Sequence, residues 1–177
     1  MMRIFRLSIF MILLGQLCAC AALWDGAKKV GQIIWDPSTP VGGPGDQPTT
    51  VTYSMVAQEG ANPNSDGAAT PVEFQVFQLE DDSKLLAADY DSLLKDFEKA
   101  LGSNYLDHSD YTMLPGNFKY IEAFEVDADT QYIGVVAHYG NPEISQWKKV
   151  IKIKPIGHEY HLLIRFKTQE VILDKVE

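Results

Sequence analysis

Residues 51–79 read VTYSMVAQEGANPNSDGAATPVEFQVFQL, and the fold turns on this stretch. Val51, Tyr53, Met55 and Ala57 alternate with Thr52 and Ser54, the period of two that belongs to a strand with one buried face. Pro71 opens a second run in which Val72, Phe74 and Val76 share a face, continuing through Phe77-Gln78-Leu79. Between them lies Gln58 to Thr70, a polar connection of 13 residues carrying Asn62-Pro63-Asn64-Ser65-Asp66-Gly67. An ordinary hairpin needs only about two to five. The stretch is therefore a crossover between two sheets or a loop kept long for binding, and the residues alone leave both readings open.

Strand patterns continue downstream. Tyr111 to Leu114, the turn Pro115-Gly116-Asn117, and Phe118 to Val126 read as a hairpin. Gln131 to Tyr139 is almost continuously apolar, which suits a central strand covered on both faces. Trp147, Lys149, Ile151 and Ile153 alternate with Lys148, Lys152 and Lys154. From His158 to Lys167, Tyr160, Leu162, Ile164 and Phe166 fall on one face, and Val171 and Leu173 mark a short last strand. One segment departs from this period. Tyr90, Leu93, Leu94, Phe97 and Leu101 follow helical spacing, with Asp89 placed as N-cap and Gly102 just past the end. Leu85 and Leu86 suit a short preceding turn. Residues 51–177 are thus predicted to form an all-β domain, a two-sheet β-sandwich of about eight strands. A helical insert around 84–102 covers one face or end.

The N-terminus has a different character. Arg3 and Arg6 precede a mostly apolar run from Leu7 to Leu17, too short to span a bilayer, which takes about 20 apolar residues. It fits a secretory signal peptide over residues 1–19. The run ends in Leu17-Cys18-Ala19-Cys20, the pattern of a bacterial lipoprotein signal, with Cys20 as the acylated residue. Cys18 fits poorly, because Gly15 and Leu17 would occupy the positions of Leu17 and Ala19. The competing reading, two ordinary thiols or a CxC metal or redox pair, ignores the agreement of basic start, apolar run and box. With Cys20 acylated, the mature chain keeps no thiol for a disulfide, a metal or nucleophilic catalysis. Ala21 follows, where an Asp would favour retention in the inner membrane. The expected location is therefore the outer membrane. A lipid anchor at ~0.8 kcal/mol per buried CH₂ is permanent once several chains insert.

Leu23, Ala27, Val30 and Ile34 have helical spacing and suit either a membrane surface or the folded domain. Residues 37–50 hold Pro37, Pro40, Pro44 and Pro48 with Gly42, Gly43 and Gly45, so residues 20–50 are expected to be a lipidated N-terminus and flexible tether. The chain has 15 Lys and Arg against 24 Asp and Glu, a net charge of −9. Losing residues 1–19 removes Arg3 and Arg6 and makes it −11, a surface that repels nucleic acid and anionic lipid headgroups.

Candidates for chemistry are few. His158-Glu159-Tyr160-His161 resembles half of a zinc motif, but that motif needs His at i and i+4 on a helix, and here the offset is three on a predicted strand. His138 lies in the buried-looking strand beside Tyr139. His108 lies in the polar run Asp107-His108-Ser109-Asp110, which reads as a solvated loop. Glu80-Asp81-Asp82 and Asp127-Ala128-Asp129 read as turn formers. The sequence carries no phosphate loop, GxSxG or HExxH. The expectation is a protein that is not an enzyme, with no catalytic residue, no metal site and no cofactor beyond the lipid on Cys20.

In order along the chain stand Asn62-Pro63-Asn64 with Gly67, Pro71-Val72 leading to Val76-Phe77-Gln78-Leu79, Leu114-Pro115-Gly116, Tyr132-Ile133-Gly134-Val135-Val136-Ala137 and Trp147-Lys148. With a lipoprotein box in front and a helix between strands two and three, this combination resembles the TssJ (SciN) family of type VI secretion lipoproteins. The resemblance runs from about Val51 to Leu173. Asn117, Lys148 and Ala68-Ala69 depart from residues common in the family. The resemblance implies a transthyretin-like β-sandwich facing the periplasm from the outer membrane. It implies binding to the C-terminal periplasmic region of TssM, itself paired with TssL, through the loop between strands one and two. The residues implied for that contact are Asn62, Pro63, Asn64, Ser65, Asp66 and Gly67. A transthyretin-like enzyme or ligand binder and a pilotin-type lipoprotein of another secretion system are the alternatives, because a fold does not fix a function.

Overall fold

The computed structural model describes residues 43–176. The signal peptide, Cys20, the segment 21–37 and the start of the tether lie outside the described residues.

Eight strands form two four-stranded sheets. They are β1 (Thr50–Ala57), β2 (Val72–Leu79), β3 (Tyr105–Met113), β4 (Phe118–Glu125), β5 (Tyr132–His138), β6 (Lys148–Lys152), β7 (Glu159–Phe166) and β8 (Val171–Val176). One sheet has the order β4-β1-β7-β8 and the other β3-β2-β5-β6. All neighbours are antiparallel except β1 and β7. The alternating residues of the opening stretch do what their period predicts. Val51, Tyr53, Met55 and Ala57 meet Val72, Phe74 and Val76 across the inter-sheet core, joined by Leu162, Ile164 and Phe166. The rings of Phe74 and Phe166 lie 4.4 Å apart at its centre.

Two short-range readings of the sequence are corrected. Leu114 to Asn117 does form a tight turn, with the Asn117 amide donating to the Leu114 carbonyl at 3.1 Å. Yet β3 pairs with β2 and β4 pairs with β1, so the turn carries the chain between sheets and closes no hairpin. Pro115 at the second position and Gly116 at φ +76° make it type II, whereas two-residue hairpin turns are of the primed types. The run Asp107-His108-Ser109-Asp110 is strand, not solvated loop, because it is the middle of β3 along the edge of its sheet. Its polarity belongs to the exposed side of an edge strand.

The insert consists of α1 (Ser83–Ala87) and α2 (Tyr90–Leu101). Asp89 caps α2 as its position predicts, accepting from the Ser92 amide at 2.8 Å. Leu85, Leu93 and Leu101 pack on Phe77, Leu79 and Val136, which point away from the inter-sheet core. This second cluster explains the apolar run 131–139. β5 is central, the core covers one of its faces, and the helices cover the other. Fully burying each such side chain contributes roughly 1.5–3 kcal/mol. Lys148 fastens the insert from β6, its ammonium donating to the carbonyls of Leu85, Leu86 and Ala88 at 3.0, 2.6 and 2.7 Å.

The ordered domain begins before Val51. Pro44–Asp46 is a 3₁₀ turn, the Gly157 amide donates to the Gln47 carbonyl, and Thr49 is buried with its hydroxyl donating to the Lys154 carbonyl at 2.7 Å. The end of the stretch expected to be tether is therefore bonded to the segment between β6 and β7.

Candidate functional site

The connections β1–β2, β3–β4, β5–β6 and β7–β8 gather at one end of the sandwich. The Gly116 amide donates to the Ala57 carbonyl at 3.0 Å, and the Gln146 amide donates to the Gln169 carbonyl at 2.8 Å. β1 separates this end from Pro44–Thr49 by its length, roughly 25 Å at about 3.4 Å per residue.

Asn62 organises the cluster. Its backbone sits at φ +48°, a left-handed value that Asn tolerates better than most residues. Its side chain is 7 % exposed. The amide nitrogen donates to the Pro71 carbonyl at 2.7 Å, and the amide oxygen accepts from the Gly140 N–H at 2.7 Å. The Asn62 amide donates to the Thr168 carbonyl, and the Thr70 hydroxyl donates to the Asn62 carbonyl at 2.6 Å. One residue thus ties three connections together. Asn62, one of the residues expected at the contact, is buried here and anchors the base of the loop. Pro63 is half-buried and bridges to Ala69.

Beyond that bridge, Asn64, Ser65, Asp66, Gly67 and Ala68 are all exposed. The tip is tight. The Asn64 side-chain oxygen accepts from the Asp66 and Ala68 amides at 3.0 and 2.9 Å, and Gly67 turns the chain at φ +78°. A loop held this way has little conformational freedom left to lose. Nothing in the sequence pattern separated the anchor from the tip.

The histidines are dispersed. His108 lies 2.8 Å from the Tyr105 hydroxyl and 3.4 Å from Asp110, stacked on Phe77 and tilted against Phe97 beneath α2. Ser109, one residue along the strand, points to the other face, so the three form no triad. His138 lies 3.2 Å from the Tyr90 hydroxyl, and burial holds its pKa below the ordinary value. His158 stacks on Tyr160. His161 Nε2 lies 2.7 Å from the Ser54 hydroxyl, a hydroxyl–imidazole pair with no carboxylate hydrogen-bonded to the ring among the described residues. No group of three or more His, Cys, Asp or Glu is gathered as a metal site among the described residues. An open groove of 580 Å³ beside α2 is lined by Glu73, Gln75, Leu94, Asp110, Lys119 and His138 among others.

The architecture is a two-sheet β-sandwich with a helical insert and a pre-shaped loop at one end. Residues 49–169 match the family model T6SS-SciN, described as type VI secretion lipoprotein and naming VasD, EvfM and TssJ. The chain belongs to this family of type VI secretion lipoproteins.

Solved structures agree with the fold. The crystal structure of the T6SS lipoprotein TssJ1 from Pseudomonas aeruginosa is similar at TM-score 0.69 and 25% identity, over 73% of this chain and 98% of that one. Serratia marcescens Lip, described as a membrane-bound component of the type VI secretion system, is similar at TM-score 0.62 and 23% identity, over 73% and 97%. A chain in a structure described as the T6SS protein TssM C-terminal domain (869-1107) from EAEC is similar at TM-score 0.61 and 21% identity, over 72% and 98%. The last two likenesses bear on the fold alone. Among curated proteins none matches the sequence.

Proposed function

We propose that this chain is a structural subunit of the type VI secretion membrane complex. It is lipid-anchored at Cys20 to the periplasmic face of the outer membrane. It holds the C-terminal periplasmic region of TssM, in complex with TssL, and the contact is the tip of the β1–β2 loop. Membership of the lipoprotein family supports the anchor, as does the Leu17-Cys18-Ala19-Cys20 box. The observation that carries the partner contact is the loop itself. Asn62 bolts its base to the β5–β6 and β7–β8 connections, and Asn64 to Ala68 stand exposed on a closed turn. The role is binding, not catalysis.

A photo-crosslinking residue in place of Ser65, in the membrane-bound full chain, tests the contact. Irradiation is expected to join the chain to TssM. A crosslink to other periplasmic proteins and none to TssM would remove the partner assignment.

A further inference from the structure

Three exposed large apolar side chains fall within the short run 114–120. Leu114, Phe118 and Tyr120 are 52, 63 and 54 % exposed. Single exposed apolar residues are ordinary on protein surfaces, but two neighbouring aromatic rings on a sheet edge mark an interaction surface. Leu114 and Phe118 flank the type II turn that joins the sheets. That turn is held against the end of β1, where the Ala57 amide donates to the Asn117 carbonyl at 3.0 Å. Phe118 pairs with Val56 and Tyr120 with Ser54, so both rings rise from the outer face of the β4-β1-β7-β8 sheet. Among the described residues, the insert covers the other sheet and leaves this face open.

The loop tip at the same end of the sandwich cannot supply a strong interface alone. Asn64, Ser65, Asp66, Gly67 and Ala68 are small or polar, whereas binding energy concentrates in a few aromatic or arginine anchors surrounded by weaker contacts. Loop and rings are continuous through the turn, since Gly116 approaches the Glu59 side chain and donates its N–H to the Ala57 and Gln58 carbonyls. Glu59, Asp66 and Glu122 are exposed around this strip. Lys119 points to the opposite face, over the Tyr111 ring at 4.9 Å.

We infer that the partner surface extends from the loop tip across residues 114–117 onto Phe118 and Tyr120. These two rings are its apolar anchors, and they fit an apolar recess on the partner rimmed by Lys or Arg. The inference rests on the TssM reading above and adds the residues that give the contact its strength. The partner docks on side chains and does not add a strand, because a bulge opposite Val51 and Tyr53 interrupts β4 and blunts its free edge.

The test measures affinity of the detergent-solubilised full chain for the periplasmic C-terminal region of TssM. Phe118→Ser with Tyr120→Ser should weaken binding at least about 30-fold, as loss of an anchor does. Leu86→Ser with Leu94→Ser, equally exposed on the insert, should leave it unchanged. Unchanged affinity in the ring variant, alongside lost binding when residues 64–68 are replaced by an Asn-Gly turn, overturns this inference and leaves the TssM reading standing. No binding by the unsubstituted chain overturns both. A photo-crosslinker at position 118 in membrane-bound protein guards against a folding defect, since a crosslink to TssM supports the anchor role and its absence counts against it.

Discussion

Asn62 is where a single residue decides most. Asn62→Ala removes two buried hydrogen bonds, strands the Pro71 carbonyl and Gly140 amide, and forces a β-carbon without a compensating amide into the left-handed region. A loss of roughly 2–4 kcal/mol is expected by urea unfolding. Asn62→Gly removes the same bonds but relieves the backbone, so it should fall between. Equal stability of wild type and alanine variant would contradict the anchor role. His138 predicts a pH dependence. Desolvation holds its pKa below the ordinary value, against the opposing pull of Glu73 and Asp110. The unfolded chain therefore binds a proton that the folded chain resists. Its contribution to stability declines as pH falls through the unfolded value near 6.5 and levels off below the folded one. His138→Gln should flatten the stability curve between about pH 7 and 5. Parallel curves for the two proteins would show that His138 contributes nothing to the slope.

At the scale of elements, the insert is fitted to the sheet through Gly134. A β-carbon there would lie 2.5 Å from Leu85 Cδ2 and 3.3 Å from Leu79 Cδ1, and both side chains are fully buried. Gly134→Val should lift α1 from β5 at a cost of about 1–3 kcal/mol. Amide hydrogen exchange should accelerate across 83–101 before it does in β1 and β7. Uniform acceleration over the whole domain would mean that the insert and sandwich unfold as one. Strand periodicity was readable wherever one face is buried, as in β1, β2 and β7, and so was the α2 cap at Asp89. Pairing was not. Leu114 to Phe118 looks like a hairpin by its flanking strands, Pro115-Gly116 is the one local hint against it, and the partners of β3 and β4 send its two sides to different sheets. The start of β3 was hidden because an edge strand roofed by a helix end can carry Asp107, Ser109 and Asp110 at little cost. In the loop, the length and polarity were legible, and they left a crossover and a binding loop equally open. The division into a buried Asn62 and an exposed tip was not, since it depends on Gly140 and Thr168 arriving from distant connections.

At the scale of the whole molecule, the ordered domain puts Pro44–Thr49 at one end and the loop cluster at the other. A lipid joined upstream would let the domain present its loop end away from the membrane. That arrangement requires Cys20. Cys20→Ser should yield a mature chain without acyl groups by mass spectrometry of its N-terminus, and it should abolish secretion without changing the melting of the domain. Acylation at another residue, or secretion unaffected by the change, would remove the anchor from the account. On the proposed reading the loop tip binds TssM. Its most direct test is the affinity of the full chain, in detergent, for the periplasmic C-terminal region of TssM, before and after residues 64–68 are replaced by an Asn-Gly turn that spares Asn62 and the Pro63–Ala69 bridge. The prediction is binding by the unsubstituted chain and its loss in the shortened one, with a cooperative melt in both. Unchanged affinity in the shortened chain would contradict it.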